Sequence, residues 1–177
     1  MSSPTIAELE IRRAERSDAD AMAQAHRDSI QSIGPAFYPA DAVDAWQEGL
    51  TGTVYLDAME AGEVFFIATA TVDGVGPVLG LASDYWIEGA THGTSVYVRG
   101  VAARRAVGTA LLQRAEAHAA ANGAASIQIE ASLAGAAFYR ANGYIEIGRG
   151  ETRLMSGRAM ACVFMRKVLR AADTVGF

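Results

Sequence analysis

Hydrophobic and polar residues alternate over residues 6–13, which is the pattern of a strand with one buried face. Apolar residues at helical spacing follow and predict a helix over about 17–33, with Ser17 as its N-cap and Gly34-Pro35 as its end. A second, shorter helix is predicted over residues 40–48. The first part of the chain is therefore predicted to be one strand followed by two helices.

The middle of the chain carries strand-length runs of β-branched and aromatic residues. Strands are predicted over residues 63–72, 78–87 and 95–101, with a hairpin turn at Asp73-Gly74 and a turn region over residues 89–93. Strands that follow one another so closely are typical of an antiparallel meander.

Helices and strands alternate in the rest of the chain. Helices are predicted over residues 108–121 and 134–141, each stopped by an Asn-Gly pair, and strands over residues 126–131, 144–149 and 159–169. Taken together, these elements predict a mixed α+β fold.

The composition narrows the class of protein. We expect one domain, residues 1–177 with a core over about 6–170, because 177 residues fit a single domain. The single cysteine, Cys162, excludes an internal disulfide, and the three histidines lack metal-ligand spacing, so no metal site is expected. No apolar run approaches the roughly 18 residues of a membrane span, and the first residues lack a signal-peptide pattern, so we expect a cytoplasmic protein without a membrane partner.

Charge is distributed unevenly along the chain. Residues 1–98 hold 4 Arg against 15 acidic residues, a net charge of −11, whereas residues 99–177 hold 11 basic against 5 acidic residues, a net charge of +6. The total of −5 argues against a nucleic-acid partner. The basic half favours a small anionic ligand and the acidic half a cationic one, although uneven surfaces also arise without a function.

Residues 96–112 carry the first candidate site. A strand runs into a loop of small and basic residues that opens a helix, so several unpaired backbone N–H groups converge where a phosphate would gain the field of the helix end. Arg104 and Arg105 add positive charge, and Ala106 and Gly108 leave the backbone open to close approach. An ordinary strand–helix turn with surface arginines has the same pattern.

This segment resembles the acetyl-CoA-binding motif of the GNAT family of N-acetyltransferases, Gln/Arg-x-x-Gly-x-Gly/Ala, which falls here on residues 103–108. Ala103 stands at the usual basic or amide position. Ala106 stands at the first glycine position, where alanine is acceptable only at a negative φ.

Residues 132–144 resemble the second signature of that family, Asn-x-x-Ala-x-x-Phe-Tyr-x-x-x-Gly-Phe. Ser132 stands at the Asn position and Gly135 at the Ala position. Phe138-Tyr139 and Gly143-Tyr144 match in spacing and type, and the two motifs follow each other in the family's order.

The resemblance implies a mixed sheet of six or seven strands, splayed between the fourth and the fifth, with about four helices and with acetyl-CoA in the splay. Its pantetheine arm would pair with the backbone near Tyr97 and Val98, and Ser132 would hydrogen-bond the arm in place of asparagine. Its pyrophosphate would meet the backbone amides of Arg104, Arg105, Ala106, Val107, Gly108 and Thr109.

The implied reaction moves an acetyl group from acetyl-CoA to a primary amine of a small, cationic acceptor by direct attack on the thioester. Such a reaction needs a neutral amine, a donor for the developing oxyanion and a proton for the leaving thiolate. The resemblance puts the proton donor at Tyr139 and the oxyanion donor at the backbone N–H near Val98. The alternative for Tyr139 is a core aromatic residue with a satisfied hydroxyl.

Two carboxylates are candidates for the general base. Glu130 ends a predicted strand on the face of Gln128 and Ser132, where some relatives carry an acid, and Asp84 is a charge in the middle of a strand. Simple solvent exposure explains either one equally well. Thr94 stands where relatives often have an acid, so the choice between Glu130 and Asp84 stays open.

The acceptor site is expected at the first two helices and the loop between them. His26, Phe37 and Tyr38 are the candidate substrate-binding residues there, with helix packing as the alternative role of His26. Two other functions stay open, an idle acyl-CoA-binding or regulatory module and an acetyltransferase for protein N-termini or lysines. A homodimer through exposed strands is also left open.

Overall fold

The computed structural model describes residues 7–71 and 78–169 of the chain. The predicted turn at Asp73-Gly74 and the predicted strand residue Ile6 lie outside the described residues. Five α-helices are found in this part of the chain: α1 Ala19–Ile33, α2 Ala40–Gln47, α3 Gly52–Glu60, α4 Val107–Ala121 and α5 Ala136–Ala141. None of these helices has the length and apolar character needed to cross a membrane.

Eight strands are found in the same residues. They are β1 Ala7–Arg13, β2 Val64–Thr71, β3 Val78–Glu88, β4 Thr91–Gly93, β5 Val96–Val98, β6 Ser126–Ser132, β7 Ile145–Arg153 and β8 Ala159–Val168. Their order in the sheet is β1-β2-β3-β4-β6-β8-β7, and β5 pairs with β3 beside β4. The pairing of β4 with β6 is parallel, and the other pairs are antiparallel.

The strand count exceeds the predicted six or seven because one strand is divided. Residues 89–93 were predicted to be a turn, but 91–93 form β4, and β5 is shorter than the strand predicted over 95–101. Between them, the Thr94 hydroxyl donates to the carbonyl oxygen of Ser83 at 2.6 Å, and the Ser95 N–H turns to the Ser83 hydroxyl oxygen at 3.2 Å. The Ser95 N–H thus bonds to a side chain and not to the Ser83 carbonyl, while the Ser83 N–H keeps its backbone bond to the Ser95 carbonyl at 3.0 Å. β4 remains paired to β6, and β5 does not.

The helices cover both faces of the sheet. On one face, α1 and α3 pack Met22 and Tyr55 against Phe65 and Leu81. On the other face, the buried side of α4 packs against β2 and β3. α5 extends this second layer over β6 and β8 through Tyr139. The α1 and α3 face therefore borders the region where substrate residues were predicted.

α3 is absent from the predicted elements, and tertiary packing explains why. Its first residue, Gly52, lies so close to the Asp20 carboxylate of α1 that any side-chain carbon there would overlap it. The glycine is therefore needed for the contact between the two helices. Because glycine has a low helix propensity, it also makes α3 harder to predict from the sequence.

The start of α1 differs from the prediction. Ser17 is not its N-cap, because residues 16–18 form a short 3₁₀ turn ahead of the helix. Asp18 accepts the Glu15 N–H at 2.8 Å and both Arg12 guanidinium nitrogens at 2.8 and 2.9 Å. The Arg12 hydrogen bond lowers the pKa of Asp18. An ion pair with β1 thus replaces the predicted serine cap.

A buried carboxylate links three elements on the α4 face. Asp84 of β3, which is 4% exposed, lies 2.6 Å from Nδ1 of His92 in β4 and 2.7 Å from Nδ1 of His118 in α4. Each carboxylate oxygen therefore accepts one histidine hydrogen bond. This arrangement, here called the Asp84 clip, holds the helix to the sheet next to the divided strand.

We expect Asp84→Ala to lower the free energy of unfolding by about 3–5 kcal/mol, because it leaves the buried imidazole of His92 and the half-buried imidazole of His118 without their acceptor. Urea unfolding at neutral pH measures the change. Asp57→Ala, at an exposed position of α3, is the control and should stay within about 0.5 kcal/mol of the parent. Equal effects of the two substitutions would contradict a structural role for the clip.

Candidate active site

A gap opens in the sheet where β5 parts from β6. Leu81 of β3 pairs with Tyr97, and the Arg99 N–H donates to Leu79, so odd-numbered residues of this segment turn their backbone groups toward β3. The N–H and C=O groups of Val96 and Val98 therefore face the gap. The prediction named Tyr97 and Val98, and only Val98 has this orientation; the Tyr97 backbone is occupied by β3.

Tyr139 lies at the closed end of this gap. Its hydroxyl oxygen accepts the Val96 N–H at 3.0 Å, and the residue is 6% exposed. Burial raises the pKa of Tyr139 above its usual range, and the neighbouring Tyr97 adds to the rise. The hydroxyl is therefore protonated at neutral pH, and its own hydrogen is left to donate to an acceptor in the gap.

The turn into α5 determines where Tyr139 lies. The Ser132 hydroxyl oxygen accepts the Gly135 N–H at 3.0 Å and fixes the chain just before the helix. The Tyr139 ring then packs edge-on against Phe138 and Tyr144, with centroids 5.0 and 5.5 Å away. The Ser132 oxygen predicted to bind a cofactor arm is thus already an acceptor within its own turn.

The N-terminus of α4 lies beside the gap and leaves backbone donors free of the helix. The Ala110 N–H is the first to bond within the helix, to Ala106, so the N–H groups of Val107, Gly108 and Thr109 have no intrahelical acceptor. No side chain caps this end. Such an end favours an anion.

Two residues of the preceding loop adopt left-handed backbone conformations. Arg104 has φ of 59° and Ala106 has φ of 60°. The condition of a negative φ, under which alanine would be acceptable at this position, is therefore not met. The Ala106 conformation is the one that glycine adopts without strain, so this chain keeps the loop shape of the glycine motif with a side chain in place.

The other predicted loop residues have distinct surroundings. Arg104 is exposed, and Arg105 is half-buried. A side-chain carbon at Gly108 would come within 3.1 Å of the Phe138 ring. Gly108 therefore serves the packing of α4 against α5 as well as access to the backbone.

A cavity of about 270 Å³ lies on the α1 and α3 face. Two of its lining residues, Ser95 and Tyr97, flank Val96 in the sequence, so the cavity borders the strand that carries the Tyr139 contact. Most of the walls are apolar or aromatic, which suits a small organic molecule. The lining residues are His26, Trp46, Leu50, Val54, Tyr55, Ala58, Glu63, Phe65, Ser95, Tyr97, Arg153, Leu154 and Met155.

Of the residues predicted at the acceptor site, the cavity contains His26 and also Trp46 of the second predicted helix. Phe37 is 51% exposed and does not line the cavity. Tyr38 is buried elsewhere, where its hydroxyl donates to the Ala161 carbonyl and accepts the Leu133 N–H. The structure thus places Tyr38 in the support of β8 and the turn before α5, behind the cavity wall, where its ring packs edge-on against the lining residue Trp46.

His26 is held between two phenols. Its Nδ1 lies 2.7 Å from the Tyr55 hydroxyl, and its ring stacks on Tyr97 with centroids 3.5 Å apart. Burial lowers the pKa of His26 to about 3, so the imidazole is neutral at physiological pH. Its Nε2 is buried without a hydrogen-bond partner among the described residues.

The two predicted bases lie outside the cavity. Asp84 belongs to the clip on the opposite face, with both oxygens occupied by histidines. Glu130 is exposed, accepts the Thr152 hydroxyl at 2.6 Å and lines a separate groove of about 410 Å³. The acid that does line the cavity is Glu63, which the sequence reasoning passed over because it stands at the edge of a predicted strand.

Comparison with known proteins agrees with this geometry. A family model described as an acetyltransferase (GNAT) domain matches residues 61–146. No curated protein sequence matches the chain.

Solved structures match almost the whole chain. A GCN5-related N-acetyltransferase from Rhodopseudomonas palustris is 26% identical, with 93% of this chain and 98% of that chain covered and a TM-score of 0.76. The PaiA N-acetyltransferase from Thermoplasma acidophilum, in complex with coenzyme A, is 16% identical over 92% and 100% of the two chains, with a TM-score of 0.71. A phosphinothricin acetyltransferase from Sinorhizobium meliloti, in complex with acetyl-CoA, is 20% identical over 94% and 95%, with a TM-score of 0.62.

The sheet opens at the same kind of gap that the acyl-transferring class predicts. The matched domain and the similar structures place this chain in that class. The chain carries a GNAT acetyltransferase domain over residues 61–146 and is an acetyltransferase. The predicted family and fold are confirmed, with eight strands and five helices in the described residues.

We expect Ala106→Gly to raise the free energy of unfolding by roughly 0.5–1 kcal/mol. Removing the left-handed strain of alanine stabilises the folded state by about 1–2 kcal/mol. This gain exceeds the cost of the larger conformational entropy that glycine gives the unfolded chain. Urea unfolding measures it, with Ala117→Gly on the exposed side of α4 as the control, expected to lose about 1 kcal/mol. A loss at both positions would mean that Ala106 is not strained.

Proposed function

We propose that this protein is an acetyl-CoA-dependent N-acetyltransferase that acetylates a primary amine of a small, cationic acceptor. The observation that carries the proposal is the Tyr139 hydroxyl at the closed end of the gap, bonded to the Val96 N–H at 3.0 Å. The gap lies on one side of this contact, and the cavity borders the same strand through Ser95 and Tyr97. A donor and an acceptor would thus meet beside one phenol.

The residues around the gap suit the parts of acetyl-CoA. The free backbone edge of Val98 is a partner for the amide groups of an extended pantetheine arm. The N–H groups of Val107, Gly108 and Thr109, with Arg104 and Arg105 nearby in the chain, suit its pyrophosphate. When bound, acetyl-CoA supplies an electrophilic carbonyl carbon and a thiolate leaving group.

Tyr139 is the proton donor in this proposal. Burial raises the pKa of Tyr139, so the hydroxyl keeps its proton until a thiolate forms beside it. The Val96 N–H donates to the same oxygen and would stabilise the phenolate that remains. The phenol and the strand thus act as one unit.

The cavity supports a small acceptor. Its volume of about 270 Å³ is at the lower end for small-molecule sites. Glu63 is the carboxylate among its lining residues and favours an ammonium group. The acetylation of protein N-termini and the idle binding module are left as outcomes of the test below.

The proposal treats residues 1–177 as one acetyltransferase domain. The described helices all pack against a single sheet, which supports this organisation. β7 forms an edge of that sheet with Ile145 and Ile147 exposed, and a homodimer through this edge remains a prediction.

We expect Tyr139→Phe to lower kcat by about 10²–10⁴-fold for every amine accepted, since it removes the proton donor. The dissociation constant for coenzyme A should stay within a few-fold of the parent value. Thiol release with a panel of small amines measures the first quantity, and titration calorimetry measures the second.

Tyr144→Phe is the matched control, because its ring packs on Tyr139 while its hydroxyl donates to Glu116 at 3.0 Å. It should retain most of the activity at a temperature where both variants are folded. Coenzyme A binding without turnover across small amines and peptides would favour the idle module. Turnover with peptides alone would favour a protein acetyltransferase.

A further inference from the structure

We propose that Glu63 is the general base, a catalytic residue that receives the acceptor's ammonium group in the cavity and removes its proton. This inference rests on the proposed function. It replaces the two carboxylates that sequence reasoning favoured with a third that the fold brings into place.

The first argument is position. Glu63 immediately precedes β2, two residues before Phe65, and both residues line the cavity with Ser95 and Tyr97. Among the cavity's lining residues it is the single carboxylate. A base must reach the proton that it removes, and neither Glu130 nor Asp84 lines this cavity.

Sheet pairing connects Glu63 to the strand beside the gap. Phe65 of β2 pairs with Ser83 of β3, which places the Ser83 side chain near Glu63. The Ser83 hydroxyl lies 2.9 Å from the Ser95 hydroxyl. Ser95 precedes Val96, whose N–H meets Tyr139. Pairing of β2 with β3, and the Ser83–Ser95 contact, therefore connect Glu63 through the sheet to the segment that contacts the proton donor.

The surroundings of Glu63 suit a base that works near neutral pH. Burial raises the pKa of Glu63, and the charge of Asp84 adds to the rise, while the nearby Ser83 hydroxyl opposes it. A carboxylate with a raised pKa holds a proton more readily than an exposed one. The titratable groups around it are His26 of α1, Tyr55 of α3, Asp84 and Tyr85 of β3, Tyr97 of β5 and Arg153 of β7.

The neighbouring imidazole is poorly suited to this role. The pKa of His26 falls to about 3, so its conjugate acid could not hold a proton taken from an amine. One of its nitrogens is already engaged by Tyr55, and the other is covered. The stacked ring therefore shapes the cavity, and Glu63 is left as the proton acceptor.

The protons balance over the whole transfer. Glu63 takes one proton from the ammonium group and later releases it to water. The amine lone pair forms the N–C bond to the acetyl carbonyl carbon, and the C–S bond breaks with its electron pair on sulfur. Tyr139 gives its proton to that sulfur and regains one from the nitrogen. The products are the N-acetyl amide, coenzyme A thiol and one proton.

The decisive variant is Glu63→Gln, which keeps the shape of the side chain. We expect kcat to fall at least 100-fold with alkylamine acceptors while the dissociation constant for coenzyme A is unchanged. Glu60→Gln is the matched control, three residues earlier in an exposed pair with Arg16, and Glu130→Gln tests the rival base. Both should stay within about twofold of the parent.

A pH profile separates a base from a structural residue. In the parent, kcat/KM should fall on the acidic side as Glu63 becomes protonated, at a pH above the usual range of a glutamate. Glu63→Gln should lose that limb. An acceptor that is already neutral at the assay pH, such as a hydrazide, should lose much less activity than an alkylamine, because less proton removal is needed.

The outcomes distinguish the two proposals. A parent active on amines, with Glu63→Gln equally active or with its acidic limb retained, would overturn the assignment of Glu63 and leave the proposed function standing. Equal losses for the hydrazide and the alkylamine would also overturn it. A parent that binds coenzyme A but acetylates no amine would overturn the proposed function, and the base assignment with it.

Discussion

The division of one strand at Thr94 and Ser95 is the constraint on which the site depends. Side-chain hydroxyls replace one backbone hydrogen bond between Ser83 and Ser95, and beyond this point β5 stays with β3 while β4 stays with β6. The gap, the inward-facing groups of Val96 and Val98, and the seat of Tyr139 all follow from this parting. The Asp84 clip lies next to it and fixes α4 against the same strands.

The two faces of the sheet carry different tasks. The α4 face supplies the helix end and the rigid clip, and the opposite face supplies the cavity with His26, Glu63 and Tyr97. β5 is where the two tasks meet, because its backbone edge faces the gap while Tyr97 forms part of the cavity wall. Such a division lets the acceptor side vary while the anion-binding side keeps its shape.

The sequence predicted the parts of the site that local motifs encode. The strand–loop–helix segment and Tyr139 carry short-range signals, and the fold places them beside one gap. The parts that were missed depend on contacts between distant residues. Gly52 makes sense only against Asp20, the φ of Ala106 is set by the loop it joins, and Glu63 enters the cavity through pairing of β2 with β3. Tyr38 is the opposite case: it was predicted to bind substrate, but its hydroxyl donates to the Ala161 carbonyl of β8 and so has a structural role.

The open side of β5 also affects how readily the protein could pair with another extended chain. A row of unpaired N–H and C=O groups is a template for any foreign extended peptide. The strand spans only Val96–Val98, so such a peptide gains few hydrogen bonds and the hazard is contained. The Val96 N–H is also occupied by the Tyr139 hydroxyl, so the exposed edge is reduced further to the groups around Val98.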